Sequence, residues 1–169
     1  MKVAITGGTG FIGAHLIRAL LDAGYSVRAV VRNPERAKRL EAWGVELHVA
    51  ELSDREALQS AFAGCQQLYH MAACASVWER KSETYFNVNA HGTDNTLWAA
   101  KVAGVKRVVV TSSGGVMGPS VSGVVSEKKP RDLNYFNAYE ASKAASDLVV
   151  LRYVVEEGMH VVLAVSYTH

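Results

Sequence analysis

Hydrophobic positions along the chain come in short runs that alternate with longer amphipathic stretches. The short runs are KVAIT (2–6), SVRAVV (26–31), VELHV (45–49), QQLYHM (66–71), KRVVVTS (106–112) and HVVLAV (160–165). Their length and β-branched content predict buried strands. The intervening stretches carry apolar residues at helical spacing. The first runs from Phe11 to Ala23 and stops at Gly24; the second opens on Asn33 as a cap, with Pro34 at the first helical position. The third starts at Ser53, where Glu56 completes a capping-box pattern three residues on. Longer helical patterns cover 82–103 and 137–157. Alternation of this kind predicts an α/β fold with a doubly wound parallel sheet and helices on both faces, because each parallel crossover needs a helix's worth of chain. The least regular stretch, 113–136, has the length of a functional loop.

Composition narrows the class. The 169 residues are 49% hydrophobic and 20% charged, as expected of one globular domain over 1–169. The net charge is +2, and the densest basic stretch, RNPERAKR (32–39), is interrupted by Glu35. With no basic face in view, no nucleic-acid partner is expected. Cys65 and Cys74 form no C-x-x-C pair and read as free thiols in a reducing compartment. No signal segment or membrane-length apolar run is evident, so the expectation is a cytoplasmic protein without a membrane partner. His15, His48, His91 and His160 are scattered without ligand spacing, and no metal is expected. No G-x-S-x-G is present to suggest a hydrolase.

The first predicted strand runs directly into TGGTGFIG (6–13), and a helical pattern follows. Glycines there let the backbone turn tightly and approach a diphosphate, whose charge lies on N–H groups at the helix start. Two registers fit: Gly8, Gly10 and Gly13 spell G-x-G-x-x-G, while Gly7, Gly10 and Gly13 spell G-x-x-G-x-x-G. About 20 residues on, a dinucleotide site that reads a ribose 2′-OH places Asp or Glu at the end of the second strand. This chain has Arg32 there, followed by Asn33. A guanidinium suits a 2′-phosphate through paired, charge-assisted bonds, which favours NADP over NAD. Arg36 and Arg39, on the next helical pattern, add positive field.

Tyr139 and Lys143 stand at i, i+4, on one face of a predicted helix. An ammonium beside a phenol favours the phenolate and makes the tyrosine usable as a general acid or base. The spacing alone is common by chance; its position raises its weight. Ser112 and Ser113 end the fifth predicted strand, at the edge where open α/β sheets bind ligands. A serine hydroxyl there is placed to bond the substrate oxygen that Tyr139 protonates, although serines at such sites also serve as turn or helix caps.

These segments together resemble the extended short-chain dehydrogenases/reductases, the NAD-dependent epimerase/dehydratase family. The family's T-G-x-x-G-x-x-G is matched by Thr6–Gly13, which selects the register Gly7, Gly10, Gly13. Its H-x-A-A is matched by His70–Ala73, and its V-N-x-x-G-T-x-N by Val88–Asn95. T-S-S and Y-x-x-S-K are matched by Thr111–Ser113 and Tyr139–Lys143. The resemblance covers essentially the whole chain and implies a Rossmann-like fold. It implies Ser113, Tyr139 and Lys143 as catalytic residues, with Asn89 supporting the active-site helix and, in some members, a proton relay. It implies cofactor contacts from Gly7, Thr9, Gly10, Phe11, Ile12, Gly13, Ala72 and Ala73, in addition to Arg32, Tyr139 and Lys143. VRAVVRNP with ASVWER resembles the dihydroflavonol-reductase-like and sugar-epimerase-like branch, whose members often use NADP. Family members also pair helices corresponding to 82–103 and 137–157 across a two-fold axis, so a homodimer is expected.

The chain departs from the pattern in places. Glu51-Leu52 replaces the usual Asp-Leu after the third strand, one methylene longer toward the adenine. MGPS (117–120) replaces V-Y-G. Family members continue past the sixth strand into a substrate-binding region, and the sequence reads as lacking it. Two readings follow. One is an NADP-dependent oxidoreductase acting at a secondary alcohol or ketone, with a small-molecule substrate. The other is a non-catalytic NAD(P)-binding module or inactive fragment. Retention of Ser113, Tyr139 and Lys143 together favours the enzyme.

Overall fold

The computed structural model describes residues 1–76, 78–118 and 134–166. The chain begins with β1 (Lys2–Thr6), α1 (Phe11–Asp22), β2 (Ser26–Val31), a 3₁₀ turn (Pro34–Ala37), α2 (Lys38–Ala42) and β3 (Glu46–Val49). It continues through α3 (Arg55–Phe62), β4 (Gln67–His70), α4 (Glu83–Phe86), a π turn (Asn87–His91) and α5 (Gly92–Val102). It ends with β5 (Arg107–Ser113), a second 3₁₀ turn (Gly114–Met117), α6 (Ala138–Val155) and β6 (Val161–Ser166). The six strands form one parallel sheet in the order β3-β2-β1-β4-β5-β6. Strand order reverses between β1 and β4, which opens a crevice above their carboxyl ends.

Side chains alternate across the sheet and divide the core in two. Val3, Ile5, Val27, Ala29 and Val31 face α1 and α2, packing on Ile17, Leu20 and Leu40. Ala4, Val30, Leu68, Val108 and Val110 face α3, α5 and α6, packing on Leu58, Phe62, Leu97 and Val150. This is the doubly wound Rossmann-like architecture with helices on both faces that the alternation predicts. Among the described residues no helix covers β4–β6 on the α1 face, and Val162 of β6 remains 61% exposed.

Local chemistry accounts for the element boundaries. Asn33 caps as predicted, accepting from Glu35 N at 2.9 Å, but Pro34 opens a 3₁₀ turn before the short α2. The third helix corrects the sequence reading: its cap is Asp54, which accepts from Ala57 N at 2.9 Å, and not Ser53. Either residue suits an N-cap; Asp54 has the extended backbone that the cap position requires. The pattern over 82–103 is one helical run, α4 to α5, interrupted by the π turn that holds Asn89. Asn137 caps α6 by accepting from Glu140 N at 2.8 Å. Of the irregular stretch 113–136, residues 119–133 lie outside the described residues, including Pro119 and Ser120 of MGPS. No helix among the described residues is long and apolar enough to cross a membrane, and no group of three or more His, Cys, Asp or Glu is arranged to hold a metal.

Candidate functional site

The crevice at the strand-order reversal is a cleft of about 410 Å³. One wall is the glycine loop between β1 and α1, and the other is the end of β5 with the start of α6. Spacing alone fits two glycine registers, of which the resemblance selects Gly7, Gly10 and Gly13, and backbone geometry gives the physical reason for that choice. Gly7 has φ +71°, and a Cβ there would lie 2.5 Å from Ala72 N. A Cβ on Gly13 would lie 2.3 Å from the Gly7 carbonyl oxygen, which also accepts from Gly10 N at 3.0 Å. A Cβ on Gly8 would meet only side-chain atoms within contact range, the nearest being the Ile17 terminal methyl at 2.8 Å. Gly7, Gly10 and Gly13 therefore make the loop, and Gly8 serves core packing.

The loop is suited to an anion. α1 begins at Gly10 with no side-chain cap and no acidic residue in its first turn, so its positive end is not compensated by its own side chains. Phe11 and Ile12 line the mouth, and Phe11 is 80% exposed against the ring of His15. Ala73 lines the opposite wall, while Ala72 is pressed under Gly7 and donates its N–H to Thr6 Oγ1 at 3.3 Å. Thr9 is exposed on the loop. The residues present fit a dinucleotide's diphosphate.

Arg32, Glu51 and Leu52 lie outside the cleft wall, just past the carboxyl ends of β2 and β3. Arg32 and Glu51 are exposed, and Arg32 makes no ion pair with a described residue. Leu52 packs beneath Gly92, whose missing Cβ leaves room for it, and its carbonyl accepts from Asn95 Nδ2 at 2.9 Å. Arg36 is exposed, whereas Arg39 lies over the Trp43 ring at 5.1 Å, as does Arg18 at the same distance.

On the other wall, Ser113, Tyr139 and Lys143 converge as the sequence predicts. Ser113 lines the cleft and its Oγ accepts from Gly115 N at 3.3 Å, so it is also the cap of the 3₁₀ turn. Ser112 turns the other way and presents its hydroxyl to Asp147 at 2.8 and 3.0 Å. Tyr139 is half-buried, with its ring edge-on to Tyr85 at 6.3 Å. Lys143 is 3% exposed and donates from Nζ to the Thr111 carbonyl at 2.7 Å. Burial pushes its pKa below the usual lysine value, and the Asp147 charge opposes that.

Asn89 stands behind the cleft, fully buried on the π turn. Its Nδ2 donates to the Cys74 carbonyl at 3.0 Å and to Ser142 Oγ at 2.9 Å; its Oδ1 accepts from Cys74 N at 2.8 Å. It thus ties α6 to the segment that follows β4. All three of these bonds come from one amide.

A second buried chain of bonds escapes the sequence reading. His70 Nδ1 lies 2.7 Å from Thr6 Oγ1, and Nε2 lies 3.1 Å from Thr93 Oγ1. Thr93 gives its own proton to the Asn89 carbonyl at 2.6 Å, so it accepts from His70 and from Ser146 at 3.0 Å. That direction makes His70 an Nε2–H tautomer, which accepts at Nδ1 from Thr6. Burial, with a smaller contribution from the Lys143 charge, lowers its pKa to about 3, so the ring is neutral. The signal for the missed residues was present: Ser142, Lys143, Ser146 and Asp147 place polar groups on the face of α6 that a sheet-packed helix normally fills with apolar ones.

Comparison with known proteins agrees with this geometry. The chain from residue 3 to 169 matches the family described as the NAD dependent epimerase/dehydratase family. A protein of Synechocystis sp., provisionally named a dihydroflavonol 4-reductase, is 43% identical over 68% of this chain and 33% of its own length. The 4-hydroxy-2-methyl-3-oxo-4-farnesyl-3,4-dihydroquinoline-1-oxide ketoreductase of Stigmatella aurantiaca is 36% identical over 90% of this chain and 46% of its own. Among solved structures, a double mutant of the dTDP-glucose 4,6-dehydratase DesIV of Streptomyces venezuelae, bound to NAD and DAU, superposes with TM-score 0.84 and 31% identity. That match covers 98% of this chain and 55% of DesIV. The chain thus spans about a third to a half of the curated relatives it matches. With the glycine-loop register, the sheet order and the match over residues 3–169 in agreement, the chain belongs to the NAD-dependent epimerase/dehydratase family.

Proposed function

We propose that the protein is an NAD(P)-dependent oxidoreductase acting at a secondary alcohol or ketone of a small molecule, with NADP preferred. One observation carries this reading: Ser113, Tyr139 and Lys143 share a cleft with the bare helix terminus and the Gly7–Gly13 loop. The glycine loop would hold the diphosphate, and the exposed Arg32 would meet a 2′-phosphate. When bound, the nicotinamide supplies or accepts a hydride. Tyr139 gives or takes the hydroxyl proton at the substrate oxygen, and the Ser113 hydroxyl bonds that same oxygen. Lys143, one helical turn on in the same cleft, would bring its charge to that proton transfer. The reading extends to a homodimer, because α6 exposes Leu148, Leu151 and Val155 at helical spacing. A monomer mass in sedimentation would end that extension.

The test is NADPH and NADH titration by fluorescence, followed by turnover on a panel of ketones and nucleotide sugars. Tyr139→Phe is expected to retain cofactor binding and lose about 10²-fold or more in rate. Arg32→Ser is expected to remove the preference for NADPH, a loss of about tenfold to a hundredfold in its affinity. A wild-type preference for NADH would refute the assignment of Arg32. Cofactor binding with no turnover on the panel, in this chain and in a C-terminally extended one, would favour the non-catalytic reading.

A further inference from the structure

Asp147 is buried to 4% exposure, on the face of α6 that packs against β5. A carboxylate removed from water is strongly disfavoured unless something compensates its charge. Its oxygens receive the Ser112 hydroxyl at 2.8 and 3.0 Å. One helical turn earlier, on the same face, lies Lys143, equally buried and bonded through Nζ to the carbonyl of Thr111. The two charges lie on one helical face and engage adjacent residues of one strand end, Thr111 and Ser112. The next residue on that strand is Ser113, in the cleft wall.

We propose that Asp147 is a positioning residue for this site: its carboxylate keeps Lys143 an ammonium and, through Ser112, fixes the strand end that presents Ser113. Burial alone would drive Lys143 toward its neutral form, and a carboxylate on the same helical face opposes that. Among the described residues, the other titratable groups around Lys143 do not supply that counter-charge. Tyr139, one turn earlier, carries a phenol, and His70 at the end of β4 is neutral, its pKa lowered to about 3. Within the helix the charge of Asp147 opposes the effect of burial on Lys143.

The functional consequence rests on Tyr139 and Lys143 being the acid–base pair, but the test does not. The protein is labelled with ¹³C-lysine, and the Lys143 side-chain carbon, assigned by comparison with Lys143→Arg, is followed against pH by NMR without cofactor or substrate. The wild-type Lys143 is expected to be charged at neutral pH. In Asp147→Asn its titration should move down by about one pH unit or more, about tenfold more neutral lysine at a given pH, and Asp147→Glu should restore much of it. An unchanged titration in a folded Asp147→Asn protein would overturn the proposal. So would a wild-type Lys143 that is neutral at pH 7, a result that needs no variant to fold. Failure of the Tyr139→Phe comparison would leave this titration unaffected, so the two readings can fail separately.

Discussion

The glycine register lends itself to a quantitative test, because two adjacent glycines differ in what an added methyl group would meet. At Gly7 the backbone lies at φ +71°, which costs an L-residue about 1–2 kcal/mol. The new Cβ would also lie 2.5 Å from Ala72 N and 2.6 Å from the Met71 carbonyl carbon. Both are backbone atoms of the segment leaving β4, so relief requires the loop or that segment to move. Overpacking of this kind costs about 1–3 kcal/mol. Gly7→Ala should therefore destabilise by about 2–5 kcal/mol, a large share of the roughly 5–15 kcal/mol that holds such a domain together. At Gly8 the nearest atoms are the terminal methyls of Ile17 at 2.8 Å and Leu40 at 3.4 Å, which can rotate away. Gly8→Ala also narrows the unfolded ensemble, so its net effect should stay within about 1 kcal/mol. Urea unfolding of the two variants reads these differences directly, and NADPH titration reads the loop. A Gly8→Ala variant as destabilised as Gly7→Ala would refute the register.

Two further predictions come from the buried polar network. His70 is neutral in the fold, with its pKa lowered to about 3, while in the unfolded chain it takes a proton near pH 6.5. The unfolded state therefore binds more protons between those values, and stability falls with falling pH across that window by up to about 1.4 kcal/mol per unit. The stability advantage of wild type over His70→Gln should shrink as pH drops from about 6.5 to 4 in chemical denaturation; an advantage independent of pH would contradict the neutral assignment. Asn89→Ala removes three bonds and strands the Cys74 N–H and carbonyl, so it should destabilise by about 2–4 kcal/mol in urea unfolding. A loss under 1 kcal/mol, on the order of a single exposed bond, would mean water replaces the amide.

By itself the sequence determined the sheet and its direction, since alternating short β-branched runs and helical patterns leave few other folds. Strand-end position, i, i+4 spacing and the family resemblance together pointed to three residues that line the cleft: Ser113 at the end of β5, and Tyr139 with Lys143 on the first turns of α6. Both glycine registers satisfied the spacing and the family resemblance selected one; the physical reason, the close approach of Ala72 to Gly7 and of Gly7 to Gly13, exists only in three dimensions. Strand-end position alone offered two serines, and only the family resemblance singled out Ser113. Their opposite orientations, one toward the cleft and one toward Asp147, follow from the two-residue alternation of a strand once α6 packs on one side. Likewise His70, Thr93 and Ser146 are separated from one another by tens of residues, and although the polar face of α6 marks Ser146, no local pattern indicates that the three meet. Their bonds form because buried polar groups must find partners, and only the packing of α5 and α6 on the sheet decides which partners are in reach.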